Sequence, residues 1–427
     1  MLKKSFFGLS SPRIEYEQLP VPLPKPDQAT ASKTVTLFHN KNGNQDLPSE
    51  LKAGDKVSEG QKISLFADDD AYVIASATGT VSSIAPYTGD FGKNYIAITI
   101  DIDGDEVVDD TFQKQIQTPT IKSAIEYLSF APGNPLLSPL IQSEKKIHTI
   151  VIRGIDSDPL IGTNQYVVEA NLNDVKTGIG ILRKITGIDR MILITAGESI
   201  QGYGHIGAEV KNVATEYPAA LPHMIMKNIL GEVVPAGKTS LDLGVCFLTA
   251  EAVASIGKAF ASGHVPVSKI LTLIGKDGSR RLVETKIGTS IKDLLIAYGV
   301  SVNEEDRIIF GGPMTGSAVY SLDHPVMPDT DAVLVLDRTK AAYSSDYPCI
   351  NCGECVRACP AQIQVHMLVR FLEAGQYEEA ADNYDLYSCI ECGLCSFVCV
   401  SRIPIFQYIK LAKYELERSQ TAEETNV

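Results

Sequence analysis

The sequence predicts a multidomain α/β protein: a β-rich N-terminal unit, a central α/β domain, a further unit of strands and turns, and a helical, cysteine-rich C-terminal module. Three observations carry that expectation. The 427 residues exceed what one hydrophobic core organises efficiently. Short β-type runs dominate from Thr34 to Ile102, and beyond about residue 120 strand candidates alternate with helical stretches. Eight of the nine cysteines fall within residues 349–399.

In chain order, residues 1–33 contain VPLPKP, an extended arm that cannot be helical and is expected to drape over a neighbour. Residues 34–118 hold TVTLF, KISLF, YVIASA, GTVSSIA and YIAITI between turn residues, the pattern of a small β unit. Within it, LKAGDKVSEGQKI and ASATGTVSSIAP resemble the paired turns of a lipoyl-like barrel sandwich, without a clear hairpin-tip lysine to carry a swinging arm. Residues 119–266 alternate HTIVIRGI and RMILIT with the helical TIKSAIEYL, DVKTGIGILRKI and AEAVASIGKAFASG, an α/β layer. Residues 267–340 return to strands around the helical SIKDLLIAYG, consistent with a β-grasp unit, and 341–416 form the cysteine-rich module, ending in an amphipathic helix from Ile405 to Leu416 entered through Pro404. The polar segment 417–427 is expected to fray.

The formal charge of −14 and pI near 5.0 argue against nucleic acid, which needs a basic face. No run is long and apolar enough to span a bilayer, and MLKKSFFGLSSPR has too short an apolar stretch for a signal peptide. The expected setting is therefore intracellular, where spaced cysteines are metal ligands or catalysts more often than disulfides. Cys246, alone in LGVCFLTA, reads as a small buried hydrophobe.

Cys349, Cys352, Cys355 and Cys359, followed by Pro360, have the spacing C-x2-C-x2-C-x3-C-P of bacterial ferredoxins, and the spacing recurs 40 residues later at Cys389, Cys392, Cys395 and Cys399. Such a run wraps three thiolates around one [4Fe–4S] cubane and sends its fourth to the other cluster. The expected ligand sets are Cys349, Cys352, Cys355 and Cys399 for one cluster, and Cys389, Cys392, Cys395 and Cys359 for the second. Zinc competes for four thiolates, but zinc ribbons bring their ligands as separated pairs. Gly353 and Gly393 are expected where a side chain would crowd the cubane, and Ile350, Ile390 and Val400 as its apolar shield. Leu368, Phe371 and Leu372 have the spacing of a helix packed beneath, or of plain core, and His366 reads as a packed or exposed residue rather than a ligand.

With these residues in view the chain resembles the RnfC family, the C-type subunits of the Rnf electron-transport complex. The likeness runs through CINCGECVRACP, SCIECGLCSFVCVSRIPIFQYIKLAK, GEVVPAGKTSLDLGVCFLTAEAVASIGKAFASG, GTSIKDLLIAYG, IIFGGPMTG and DHPVMPDTDAVLVL, and reaches the VSEGQKI region. It implies a barrel-sandwich unit, an α/β domain like the flavin subunit of respiratory complex I, a soluble-ligand-binding β-grasp unit and a two-[4Fe–4S] module. It also implies a peripheral place at the cytoplasmic face of a membrane complex. There such a subunit passes electrons between NADH and ferredoxin, with FMN and NADH as further cofactors, and with membrane subunits and an iron–sulfur or flavin protein as partners.

The sequence departs from that family where nucleotides would bind. The GGAGFPT-type loop reads FAPGNPLLSPL, retaining Gly133 while Pro132, Pro135 and Pro139 remove amide donors. An NGAECEP-type segment becomes RGIDSDP, with Asp156 and Asp158 expected as solvated turn carboxylates, and EYPAALPHMIMKNI replaces a YPQG-type segment. Gly202, Gly204 and Gly207 in GYGHIG match G-x-G-x-x-G, but several residues separate the motif from the strand-like MILIT and no strand-like run ending in an acidic residue follows at the expected spacing, so a loop is expected there, with His205 unassigned. Three functions follow: an electron relay with an altered nucleotide site, an NADH- and FMN-binding subunit, or a docking scaffold with structural clusters.

Overall fold

The computed structural model describes residues 12–29, 32–40, 50–66, 72–89, 93–141, 146–197, 205–341, 344–345 and 347–425. Tyr16 and Glu17 of the N-terminal arm hydrogen-bond through their amides to the carbonyls of Thr215 and Pro159. Strand β1 (Asp27–Gln28) then adds in parallel to the edge of the β-grasp sheet. The expected draped arm is thus a strap joining two units.

The β-rich unit is an antiparallel sheet ordered β2 (Thr34–Asn40), β7 (Asn94–Ile102), β6 (Gly79–Thr88), β3 (Lys56–Val57), with a hairpin of β4 (Lys62–Ser64) and β5 (Tyr72–Ile74). Alternation explains its single core: Val35 and Leu37 of β2 face Ile96, Ile98 and Ile100 of β7, all buried. Helices α1 (Gln113–Ile116) and α2 (Ile121–Leu128) follow, the second started by a reciprocal Thr120–Ser123 cap.

The α/β domain has a fully parallel sheet ordered β10 (Glu209–Val213), β9 (Arg190–Ala196), β8 (Thr149–Arg153), β11 (Val245–Thr249). Cys246 is buried on β11, as expected of a small hydrophobe. A parallel sheet needs cover on both faces. On one face Ile150 and Ile152 pack in a core shared with α3 (Thr163–Ala170), α4 (Leu172–Thr186) and α6 (Ala250–Ser262). On the other face Val151, Ile192, Ile194 and Val245 share a core with Tyr16, Tyr217, Ile225 of α5 (Pro222–Ile225), Met314, Cys392 and Leu394. Three separate parts of the chain therefore close this face: the N-terminal arm, the β-grasp unit and the cysteine module.

The β-grasp unit continues the order β1, β13 (Arg280–Lys286), β12 (Ser268–Ile274), β16 (Ala332–Leu336), β14 (Arg307–Phe310), β15 (Ser317–Val319), with α7 (Ile291–Ala297) capped by Ser290. A buried ion pair between Lys269 of β12 and Glu251 of α6 ties it to the α/β domain. The C-terminal module consists of α8 (Glu354–Arg357), α9 (Val365–Glu373), α10 (Tyr377–Asn383), α11 (Leu394–Val398) and α12 (Ile405–Thr425). The last helix does not stop at Leu416, and the expected frayed tail is helical to Thr425. After Leu416 there is no proline or glycine to break it, and Arg418 pairs with Glu415 at 2.6 Å one turn back. Among the described residues no helix is long and apolar enough to cross a membrane.

The tightest approach inside the α/β domain is the crossing of α4 and α6. A Cβ on Gly257 would run into the Asp174 carbonyl, and one on Gly178 into the Val253 carbonyl. Gly257→Ala is therefore expected to destabilise the domain by about 1–3 kcal/mol through overpacking. A lowered urea midpoint checks this; an unchanged midpoint would mean the two helices can separate without loss.

Candidate metal centre

The two cysteine runs fold alike because the same backbone devices recur. Asn351 and Glu391, between the first and second cysteines, are left-handed with φ of 60° and 56°, and so are Gln362 and Arg402, three residues past the fourth cysteines, at 57° and 55°. Gly353 and Gly393, with φ of 76° and 72°, cap α8 and α11. Their positive φ gives both glycines a conformational role at the helix starts. At Gly393 a second cause is the Met314 carbonyl, which a Cβ would strike. The amides of Val365 and Ile405 donate to the carbonyls of Ile363 and Ile403 at 2.9 and 2.8 Å, so α9 and α12 also start in equivalent ways.

This geometry brings Cys399 back to the first run. One small enclosed cavity is lined by Cys349, Cys352, Cys355 and Cys399, with Ile350, Val400, Ile403, Ile405 and His366 around them. Burial pushes the Cys355 thiol up to about 11, and Cys349, Cys352 and Cys399 add to the shift. Cys392 is pushed up to about 12 by burial, with Cys389 and Cys359 adding. The Cys395 thiol is also raised, chiefly by burial and then by Cys389 and Cys392. Backbone amides of Val356, Glu391, Leu394 and Ser396 donate to the sulfurs of Cys355, Cys389, Cys392 and Cys395, which favours thiolate. Crowded soft donors with amides aimed at them fit iron–sulfur clusters, whose positive iron would hold thiolates that a bare interior keeps protonated.

The two sites differ in their surroundings. Cys352 is exposed, and Ile350 and Val400 line the cavity while remaining 66% and 49% exposed, so their shielding is one-sided. Cys392 and Cys395 are buried. The Tyr217 hydroxyl donates to the Cys392 carbonyl at 2.6 Å, and Lys413 of α12 donates to the Cys389 carbonyl at 2.9 Å and pairs with Glu391 at 2.7 Å. Leu368 and Leu372 of α9 are buried beneath, while Phe371 stacks on Tyr384 at 4.2 Å. His366 is half-buried, with Nδ1 sealed from solvent and without a hydrogen-bond partner among the described residues. Tyr217 and Lys413 were not anticipated, because neither has a local signature: one precedes a proline far upstream and the other is one of several lysines on a C-terminal helix.

The segments that the sequence comparison singled out for nucleotide binding make contacts within the protein. Asp156 and Asp158 are buried, not solvated. Asp156 accepts from the amides of Asn164 and Gln165 at the start of α3, and from the Asn164 side chain. Asp158 accepts from the amides of Met314 and Thr315, both at 2.9 Å, and from the Thr315 hydroxyl, closing the GGPMTG turn. A carboxylate just after a buried strand, facing Gly312 of another unit, is not separable from a solvated turn by its neighbours in sequence. Gly133, at φ 82°, gives its amide to the Pro328 carbonyl, and a Cβ there would meet the backbone at Ala252, the start of α6. Of the glycine motif, Gly202 and Gly204 lie outside the described residues, Gly207 accepts from Arg183, and His205 is exposed.

Comparison with known proteins matches residues 27–105 to the RnfC barrel sandwich hybrid domain, 138–265 to the NqrA second alpha/beta domain and 341–400 to a 4Fe-4S dicluster domain. The C-type subunit of a proton-translocating ferredoxin:NAD(+) oxidoreductase complex from Clostridium ljungdahlii is 30% identical, over 86% of this chain and 84% of its own. The C-type subunits of ion-translocating oxidoreductase complexes from Yersinia pseudotuberculosis and Klebsiella pneumoniae are 28% and 29% identical over 96% and 88% of this chain, which spans 61% and 52% of their length. An NAD+-reducing [NiFe]-hydrogenase chain aligns with a TM-score of 0.46 and 11% identity, over 71% of this chain and 65% of its own, too slight a likeness to carry weight.

Burial raises the Asp156 carboxyl from 3.8 to about 6, with Asp331 adding and the bonds from Asn164 and Gln165 opposing. The folded chain then holds this proton more tightly than the unfolded one, so the associated stability is full below pH 3.8 and is lost as pH rises to about 6. Asp156→Asn is expected to flatten that stretch of a plot of denaturant midpoint against pH. A variant profile that still falls across the window would assign the decline to another group.

Proposed function

The chain belongs to the RnfC family, the C-type subunits of ion-translocating ferredoxin:NAD oxidoreductase complexes, and from that membership we propose that it relays electrons through two [4Fe–4S] clusters without binding NADH or FMN itself. Cys349, Cys352, Cys355 and Cys399 hold one cluster, and Cys389, Cys392, Cys395 and Cys359 the other. The observation that carries this reading is the cavity in which Cys399 joins the first three cysteines of the other run. When bound, each four-thiolate cluster supplies a one-electron centre with no open iron, so substrate chemistry takes place elsewhere in the complex.

The chain's own residues set the frame for that transfer. The left-handed turns aim backbone amides at the sulfurs, and Tyr217 and Lys413 anchor the Cys392 and Cys389 carbonyls from two directions. The exposed Cys352 side is where a redox partner, a ferredoxin or another iron–sulfur or flavin protein, approaches. The buried side faces the rest of the protein, which docks on membrane subunits at the cytoplasmic surface. The altered nucleotide site is supported by three observations: Gly133 has its amide and its open side filled, the neighbouring prolines offer no N–H, and both RGIDSDP carboxylates are used as internal caps.

Anaerobically purified protein is expected to contain about eight iron and eight sulfide per chain, little flavin, and no cluster bleaching with NADH. Stoichiometric flavin with rapid NADH reduction would instead make it the nucleotide-binding subunit, and clusters that no reductant reduces would make it a scaffold. Crosswise ligation has its own test. Cys352→Ser and Cys399→Ser each remove about half the iron, and the double variant is expected to lose no more. Additive loss would put Cys399 in the other site.

A further inference from the structure

We propose that His366 donates its Nδ1–H to a sulfur of the cluster held by Cys349, Cys352, Cys355 and Cys399, and thereby raises that cluster's reduction potential. This rests on the cluster assignment above. The imidazole lines the same cavity as the four cysteines. Its Nδ1 is sealed from solvent and has no hydrogen-bond partner among the described residues, a costly arrangement for a polar nitrogen unless an acceptor fills the cavity. The other polar side chain of the lining outside the cysteines, Ser401, is turned to the Pro348 carbonyl at 3.5 Å. The remaining lining side chains are apolar, so within this cavity the acceptor left for Nδ1–H is cluster sulfur.

The internal repeat shows that this donor is peculiar to one site. Helix α9 starts at Val365 and α12 at Ile405, 40 residues apart like the cysteines, so the counterpart of His366 is Phe406. Phe406 is buried and carries no donor. Its position begins a helix in the same way, so the scaffold accepts an aromatic ring there without one. Reduction adds negative charge to the cluster sulfurs, which strengthens an N–H···S bond in the reduced state, so the donor favours electron uptake.

The test is an EPR-monitored potentiometric titration of the anaerobic full-length chain, with iron and sulfide counted on the same samples. In His366→Phe, which copies the counterpart residue, one of the two one-electron waves is expected to move to lower potential. The shift should be about tenfold in the reduced-to-oxidised ratio at fixed poise, or about 59 mV, with the other wave unmoved. His366→Gln, which keeps an N–H donor, is expected to hold the wild-type potential. Two full clusters with neither wave displaced would overturn the role of His366 and leave the relay standing, whereas a wild-type chain without two clusters would sink the relay itself. If the Phe variant fails to assemble, pulsed EPR on the reduced wild-type chain carrying 15N-labelled histidine decides. A histidine nitrogen coupling lost in His366→Gln supports the bond, and its absence from the wild type refutes it.

Discussion

The constraint on which this structure depends is the second face of the parallel sheet. Strands β8, β9 and β11 bury apolar side chains on both sides, and α3, α4 and α6 cover only one of them. The other side is closed where Tyr217, Met314 and Cys392 meet, residues supplied by the α/β domain, the β-grasp unit and the cysteine module. Because the same contact completes a hydrophobic core and seats a cysteine loop, the clusters' frame cannot loosen without exposing the sheet.

Polar bonds make that seam specific. Asp158 holds the Met314–Thr315 turn, whose carbonyl at Met314 abuts Gly393, while Tyr217 reaches the Cys392 carbonyl. Burial raises both the Asp158 carboxyl and the Tyr217 hydroxyl, so both are costly to strand without partners. The RGIDSDP segment is thus an internal brace for the turn that abuts the cysteine module.

The two cysteine runs repeat in backbone but not in surroundings. One group lies against exposed Ile350 and Val400, and the other places Cys392 in the shared core and Cys389 beside Lys413. Cluster potentials follow solvent access and hydrogen bonding to the sulfurs, so equal ligands in unequal settings give unequal electron affinities.

The sequence by itself determined the repeated cysteine loops, the α/β layer and the capped helices, because these depend on residues a few positions apart: C-x2-C-x2-C-x3-C is a loop geometry, and Thr120, Thr249 and Ser290 act on amides three residues on. It also placed Cys246 in the core, since an apolar run reads directly as a buried strand. Only the tertiary structure decided that Asp156 and Asp158 are buried caps, that Gly133 is filled by α6, that Tyr217 and Lys413 brace the second cysteine group, and that His366 faces the first. Each is a contact across more than one element, where partner identity depends on how units pack and not on any local spacing. A carboxylate after a strand reads the same in sequence whether water or a distant turn satisfies it, and packing alone chooses between them.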